Sequence, residues 1–292
     1  MTLPRGRSAG APAGRVPSWQ TVALMVLILV SLVGSVAMAA AQGWLGRSES
    51  TAPPPEEGWF DLRPVGSFAS LPSDVEAAAA VHRSTWEPRP ENRPSNTTVP
   101  TRLALVPKRD ADRAYDPRWN PYVQERISGD FSGTTDEIFQ WAAVKWGLPD
   151  NVLRTVALQE SEWWQSNYGD YVDDAAECPP GLTPPCPVTF GIVGVRSTSW
   201  QGIYPWNKNS TAAAVDVLGG WLRGCHEGWV WWLRDHGNHS RGTYRAGDLW
   251  GCVGAWFSGD WHDGRVGGSS GENYIHRAQE ACAKRPWLRS GF

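Results

Sequence analysis

The residues best placed to do chemistry lie in the segment Val152 to Trp164, VLRTVALQESEWW. Val152, Leu153, Val156 and Ala157 recur at helical spacing, and Glu160 follows at i+4 from Val156 and i+7 from Leu153. Trp163 closes the same face one turn later. A carboxyl on that seam points at the core or a cleft, where desolvation raises its pKa, and the partial negative charge of the helix end pushes the same way. Such an acid stays protonated near neutral pH and can donate its proton to a leaving group. The competing reading is a solvated helix-end glutamate. Glu162 is not its partner, because residues at i and i+2 do not share a helix face.

The elements around this segment read as helices. Thr134 and Glu137 make a capping-box pattern ahead of IFQWAAVKW, which stops at Gly147, and Pro149 suits the first turn of the helix carrying Glu160. Further helices are expected over 211–223, over part of EGWVWWLRD, and over Leu249, Cys252, Val253 and Trp256 up to Gly259. Ser269 and Glu272 are the capping pattern expected for the last helix, with Tyr274, Ile275, Ala278 and Cys282 on its apolar face and a stop before Pro286. The fold class is all-α, α+β at most, with one short turn-and-strand piece near Val188 to Val195.

The chain divides into three parts. Basic residues Arg5, Arg7 and Arg15 precede an uncharged run from Thr21 to Ala41, about 20 residues and long enough to span a bilayer. It ends in small residues, Ala37-Met38-Ala39 and Ala39-Ala40-Ala41, that look like signal-peptidase sites, so residues 1–41 read as a signal peptide or a signal-anchor helix. The basic flank places the body outside the membrane in either case. Residues 42–130 are rich in Pro, Arg, Asn and Asp without sustained apolar periodicity, and read as linker or extended coat with a short helix around Asp74 to His82. Residues 131–292, about 160 in number, are enough for one helical core.

Composition agrees with an extracytoplasmic protein. A net charge of −3 gives no electrostatic reason to expect nucleic acid. The five cysteines all follow residue 170, in the outward part of the chain, where disulfides persist. Cys178 and Cys186 flank a Pro-rich loop that a bridge would pin. Sequence leaves the pairing of Cys225, Cys252 and Cys282 open, with Cys225–Cys252 preferred. There is no CxxC pair and no HxxxH or HExxH helix, so neither a metal nor another cofactor is expected. The 19 tryptophans exceed what so small a domain can fully bury. Trp141, Trp146 and Trp256 sit on helix seams and read as structural. Trp163, Trp164, Trp200, Trp206 and Trp261 fall in loops or at helix ends, where an indole can stack on a sugar.

Taken in order, these segments resemble the lysozyme-like domain of lytic transglycosylases, in the goose-type lysozyme superfamily. The family's Q-E-S motif stands here as Gln159-Glu160-Ser161, with an aromatic three residues after the Glu at Trp163. Its G-L-M-Q turn corresponds to Gly191-Ile192-Val193-Gly194, and its Asn-led helix to Asn209 and the Ala-rich run to Leu222. Its A-Y-N-A-G block corresponds to Ala255-Trp256-Phe257-Ser258-Gly259, and its Y-V block to Tyr274-Ile275. The resemblance covers residues 134 to 288 and says nothing of the N-terminal part.

What it implies is cleavage of the β-1,4 bond between N-acetylmuramic acid and N-acetylglucosamine in peptidoglycan strands. Glu160 would be the general acid, and then the base on the muramoyl 6-hydroxyl, giving a 1,6-anhydro product, or on a water. The substrate's own N-acetyl group can assist, so a second carboxylate is not obligatory. Tyr274 would position Glu160. Ser161, Trp163, Gly191, Ile192, Gly194, Trp256 and Phe257 would contribute to substrate binding. Two positions depart from the pattern: the family's Gln is Gly194 here and its Asn is Phe257, and both normally help to hold the sugar. An acidic insertion, 167–188, carries Asp170, Asp173, Asp174 and Glu177, one of which could orient a water; a solvated loop is the plainer reading. The alternatives to a transglycosylase are a hydrolytic lysozyme and a wall-binding module of the same fold without turnover.

Overall fold

The computed structural model describes residues 51–108, 114–234, 239–265 and 270–292. The apolar run 21–41 and Ser269 lie outside them. Among the described residues no helix is long and apolar enough to cross a membrane.

The described chain is mostly helical. Helix α1 spans Asp74–Ala80, α2 Arg93–Asn96, α3 Thr135–Trp146, α4 Asp150–Ser161, α5 Trp206–Asn209, α6 Thr211–His226, α7 Leu249–Ser258 and α8 Gly271–Lys284. Helix α3 begins at the expected capping box, with Thr134 and Glu137 bonding each other's backbone, and ends where Gly147 turns left-handed. Pro149 is the N-cap of α4, and Gly259 closes α7 with φ +72°. Helix α8 is capped by Ser270, whose side chain accepts from the Asn273 N–H. The helix expected within EGWVWWLRD is reduced to one 3₁₀ turn, Trp231–Arg234; Gly228 and three indoles in four residues give no amphipathic face to carry a longer one.

Between α4 and α5 lies a three-stranded antiparallel sheet in the order β1 (Tyr168–Val172), β2 (Cys186–Phe190), β3 (Val195–Arg196). Strand β1 was not legible beforehand, since most of its residues are exposed and show no alternation. Tyr168 pairs with Phe190 and Val172 with Cys186. Cys178–Cys186 closes the long connection between these strands, and Cys225–Cys252 joins α6 to α7. Cys282 is free.

The segment before residue 131 is more than a linker. Glu49–Phe292 forms one compact unit, and Ala77, Val81, Trp119, Val123 and Ile127 lie in the same apolar core as the helices. Its backbone is fastened by side chains of the helical part. Asp150 accepts from the N–H groups of Trp59 and Phe60, Glu137 from Ser84 at 2.9 Å, and Glu227 from Gly66 at 2.8 Å. A Pro-rich strap has few backbone partners of its own, so borrowed carboxylates satisfy the donors that burial would otherwise leave unpaired.

Core carboxylates and cations are paired as burial requires. Arg154 of α4 is held by Asp136 and Asp150. Lys145 of α3 meets Asp216 of α6 at 2.8 Å, and the same carboxylate takes the Trp146 indole N–H. These bonds lock α3, α4 and α6 together and set the direction in which the last turn of α4 points.

Candidate active site

Glu160 occupies that last turn, at the floor of an open cleft of about 530 Å³. Helix α4 ends at Ser161 because Glu162 and Trp163 both take left-handed backbone, φ 52° and 69°. The reversal directs Trp163 inward and leaves Glu160 facing the cleft. Its Oε1 accepts a hydrogen bond of 2.6 Å from the Tyr274 hydroxyl on α8.

Burial pushes the Glu160 carboxyl up to about 7; the Tyr274 hydrogen bond opposes that rise, and the charge of Asp170 adds a little to it. Tyr274 is 1 % exposed, and burial followed by the neighbouring carboxyl holds its phenol well above the usual range. The phenol is therefore a donor at every ordinary pH. Together the two groups form a protonatable acid with a fixed orientation.

The turn Gly191–Gly194 forms the wall beside Oε2. Gln165, which sequence reasoning missed, fixes this turn by accepting from the Ile192 N–H and donating to the Asn207 carbonyl. Gly191 packs so tightly there that a Cβ would lie 2.3 Å from the Asn207 oxygen. Ser161 donates to the Ile192 carbonyl at 2.7 Å, so it ties the end of α4 to this turn. Helix α7 adjoins this turn and adds to the lining. Phe257, 40 % exposed, stacks on Tyr274 with centroids 4.6 Å apart, and the Trp256 indole donates to the Val193 carbonyl.

Several expected binding residues are placed otherwise. Trp163 is fully buried, packed on Phe139, Trp287 and Phe292, with its indole N–H on the Arg154 carbonyl. Ile192 is likewise fully buried. The aromatic three residues after Glu160 lands inside because the reversal at Glu162 and Trp163 breaks the helical count. Trp261 is a core residue as well. Gly194, Trp256, Phe257 and Trp200 do line the cleft.

The cleft also contains residues that periodicity could not place: Lys108, Tyr115, Asn167, Thr189, Arg196, Trp221 and Trp232. Asp170, from the acidic insertion, lines it too. Its backbone is left-handed at φ 50°, its carboxylate accepts from Thr189 at 2.6 Å, and Arg196 stands 3.6 Å away. Volume alone does not single out this cleft. A hollow of about 780 Å³ opens beside Pro149 and Arg285; of its acids, Glu56 and Asp248 are engaged by Arg285 and His262, and Glu57 is exposed to solvent.

Comparison with protein-family models, with curated proteins and with solved structures finds no match to this chain.

Proposed function

We propose that the chain is a muralytic enzyme that cleaves the β-1,4 bond between N-acetylmuramic acid and N-acetylglucosamine in peptidoglycan. The supporting observation is Glu160: one carboxyl, raised to about 7 by burial, held by a phenol at the floor of an aromatic cleft. A carboxyl that carries its proton at neutral pH can give it to a glycosidic oxygen and, once ionised, take one from the attacking hydroxyl. Phe257, Trp232 and Trp256 offer aromatic surface to sugar C–H faces. Tyr274 positions the acid. In the lytic transglycosylase reading, the muramoyl 6-hydroxyl attacks and a 1,6-anhydro ring forms.

A second reading, hydrolysis, is favoured by Asp170. Its carboxylate lies in the same cleft, on a left-handed residue of a kind that aspartate adopts more readily than most. Held by Thr189 and Arg196, it could orient a water toward the anomeric carbon. The two disulfides favour an extracytoplasmic setting, secreted or anchored with the domain facing the wall.

The test is mass spectrometry of fragments released from purified peptidoglycan by the full chain, with Glu160→Gln alongside. Anhydro-muramyl ends absent from the variant support the transglycosylase. Reducing ends support hydrolysis and Asp170. Equal release by both proteins removes Glu160 from its role, and wall binding without release leaves a binding module.

A further inference from the structure

Four charged side chains line the cleft: Lys108, Glu160, Asp170 and Arg196. The phenol of Tyr274 holds Glu160, and Asp170 and Arg196 offset one another across the hairpin. Among the described residues Lys108 has no such partner. Its Nζ donates to the backbone oxygen of Ser199, lies 4.9 Å from the ring centre of Trp200 and 5.9 Å from that of Tyr115, and meets no carboxylate among the described residues. Burial lowers its pKa to about 8, so the ammonium remains mostly charged at neutral pH.

A partly desolvated cation without an anion is costly to maintain, and methionine or leucine would pack against the same rings without that cost. Clamping the strap is not a sufficient reason for it. The Val106 N–H already bonds the Gln201 carbonyl at 2.8 Å, Gln124 donates to the Val106 carbonyl, and the Lys108 backbone exchanges hydrogen bonds with the Asn120 amide. Lys108 lines the cleft itself, its ammonium lying over the ring of Trp200 at the cleft's edge.

We infer that Lys108 binds a carboxylate carried by the glycan, making this cleft selective for acidic strands over neutral strands of the same backbone. The inference rests on the peptidoglycan reading above. Muramic acid carries a lactyl group that ends either in a free carboxylate or in a peptide bearing carboxylates of its own, and both sources present the same chemistry to an ammonium. In neutral oligomers of N-acetylglucosamine that group is missing, so the ammonium would stay unpaired beside bound sugar.

The experiment measures affinities of the full chain carrying Glu160→Gln, which blocks turnover and removes the titration of that acid from the pH profile. The ligands are peptide-free glycan strands with lactyl carboxylates, peptide-bearing strands, and the neutral N-acetylglucosamine hexamer. The ratio of acidic-strand to neutral-oligomer affinity should exceed one. It should fall about tenfold with Lys108→Met, the size expected for losing one charge-assisted contact, and survive in Lys108→Arg. Raising the pH through about 8 should lower the same ratio. Which acidic strand loses more on Lys108→Met identifies the carboxylate. A ratio that Lys108→Met leaves unchanged, whether both affinities hold or both fall together with thermal stability, overturns the inference and returns Lys108 to a clamp. Binding to no glycan overturns the peptidoglycan reading itself.

Discussion

Gly194 stands so close to Glu160 that a methyl group on it would lie 2.7 Å from Oε2 of the acid. Its backbone is also left-handed, φ 65°, a conformation that L side chains enter at a cost of about 1 kcal/mol or more. The lack of a side chain at Gly194 thus leaves room for the Glu160 carboxyl. Gly194→Ala should lower stability by roughly 1 to 2 kcal/mol and cut turnover more than tenfold by displacing Oε2. Denaturant melts and muropeptide release check the two effects separately; undiminished release would mean the carboxyl works from another position.

The raised Glu160 pKa makes two pH predictions of definite sign. Turnover that depends on the protonated acid should be lost as pH climbs through about 7. Stability behaves alike: the folded carboxyl holds its proton up to about 7 while the ordinary value is 4.5. The contribution is complete below the lower value and disappears as pH rises through the upper one. Glu160→Gln should therefore abolish turnover and melt later than the parent at about pH 8, by roughly 2 to 3 kcal/mol, with the difference vanishing near pH 4. A variant less stable than the parent at the higher pH would show that the carboxyl is not desolvated.

Tyr274→Phe removes the one hydrogen bond that favours the ionised form of Glu160, so the carboxyl should rise further and the alkaline limb of the pH profile should move to higher pH. Turnover at the optimum should fall about tenfold to a hundredfold as the acid loses its fixed orientation. A reduced rate with an unmoved limb would make Tyr274 a packing residue only.

The helices that bear the site were readable because their signals are local. Thr134 with Glu137, Gly147 and Gly259 announce ends through backbone chemistry within a few residues, and the seam Leu153–Val156–Glu160 follows from the helical repeat alone. The misplacements have a common cause in events the repeat does not encode. Trp163 falls just past a helix end, which in the sequence suggests an indole free to stack on a sugar, but the left-handed turn at Glu162 and Trp163 folds it into the core. Within the strap the helix Asp74–Ala80 is readable from its local run, but core residues such as Trp119 stand among prolines and arginines with no periodicity to announce their burial. Lys108 was invisible for the same reason: only the folded chain brings it to Trp200.

The two bridges should differ in what they stabilise. Cys225–Cys252 spans 27 residues and ties α6 to α7, whereas Cys178–Cys186 spans 8 residues within the β1–β2 connection. On the chain-entropy account the longer loop contributes roughly 3 to 4 kcal/mol and the shorter roughly 2 to 3. Cys225→Ser with Cys252→Ser should lower the melting temperature of the whole unit, while Cys178→Ser with Cys186→Ser should mainly speed proteolysis within 173–185. Equal proteolysis with and without the shorter bridge would argue against its local role.

Glu160 and Tyr274 are separated by 114 positions, and the strap residue Glu56 meets Arg285 across 229. Such distant closures are slow to form, because the intervening chain must be ordered before they are rewarded. The acid is therefore synthesised long before the phenol that orients it, and the strap long before the helices that give it a place to lie. A chain cut short of α8 carries a glutamate with nothing to aim it, and a chain clipped before Trp119 opens its own core.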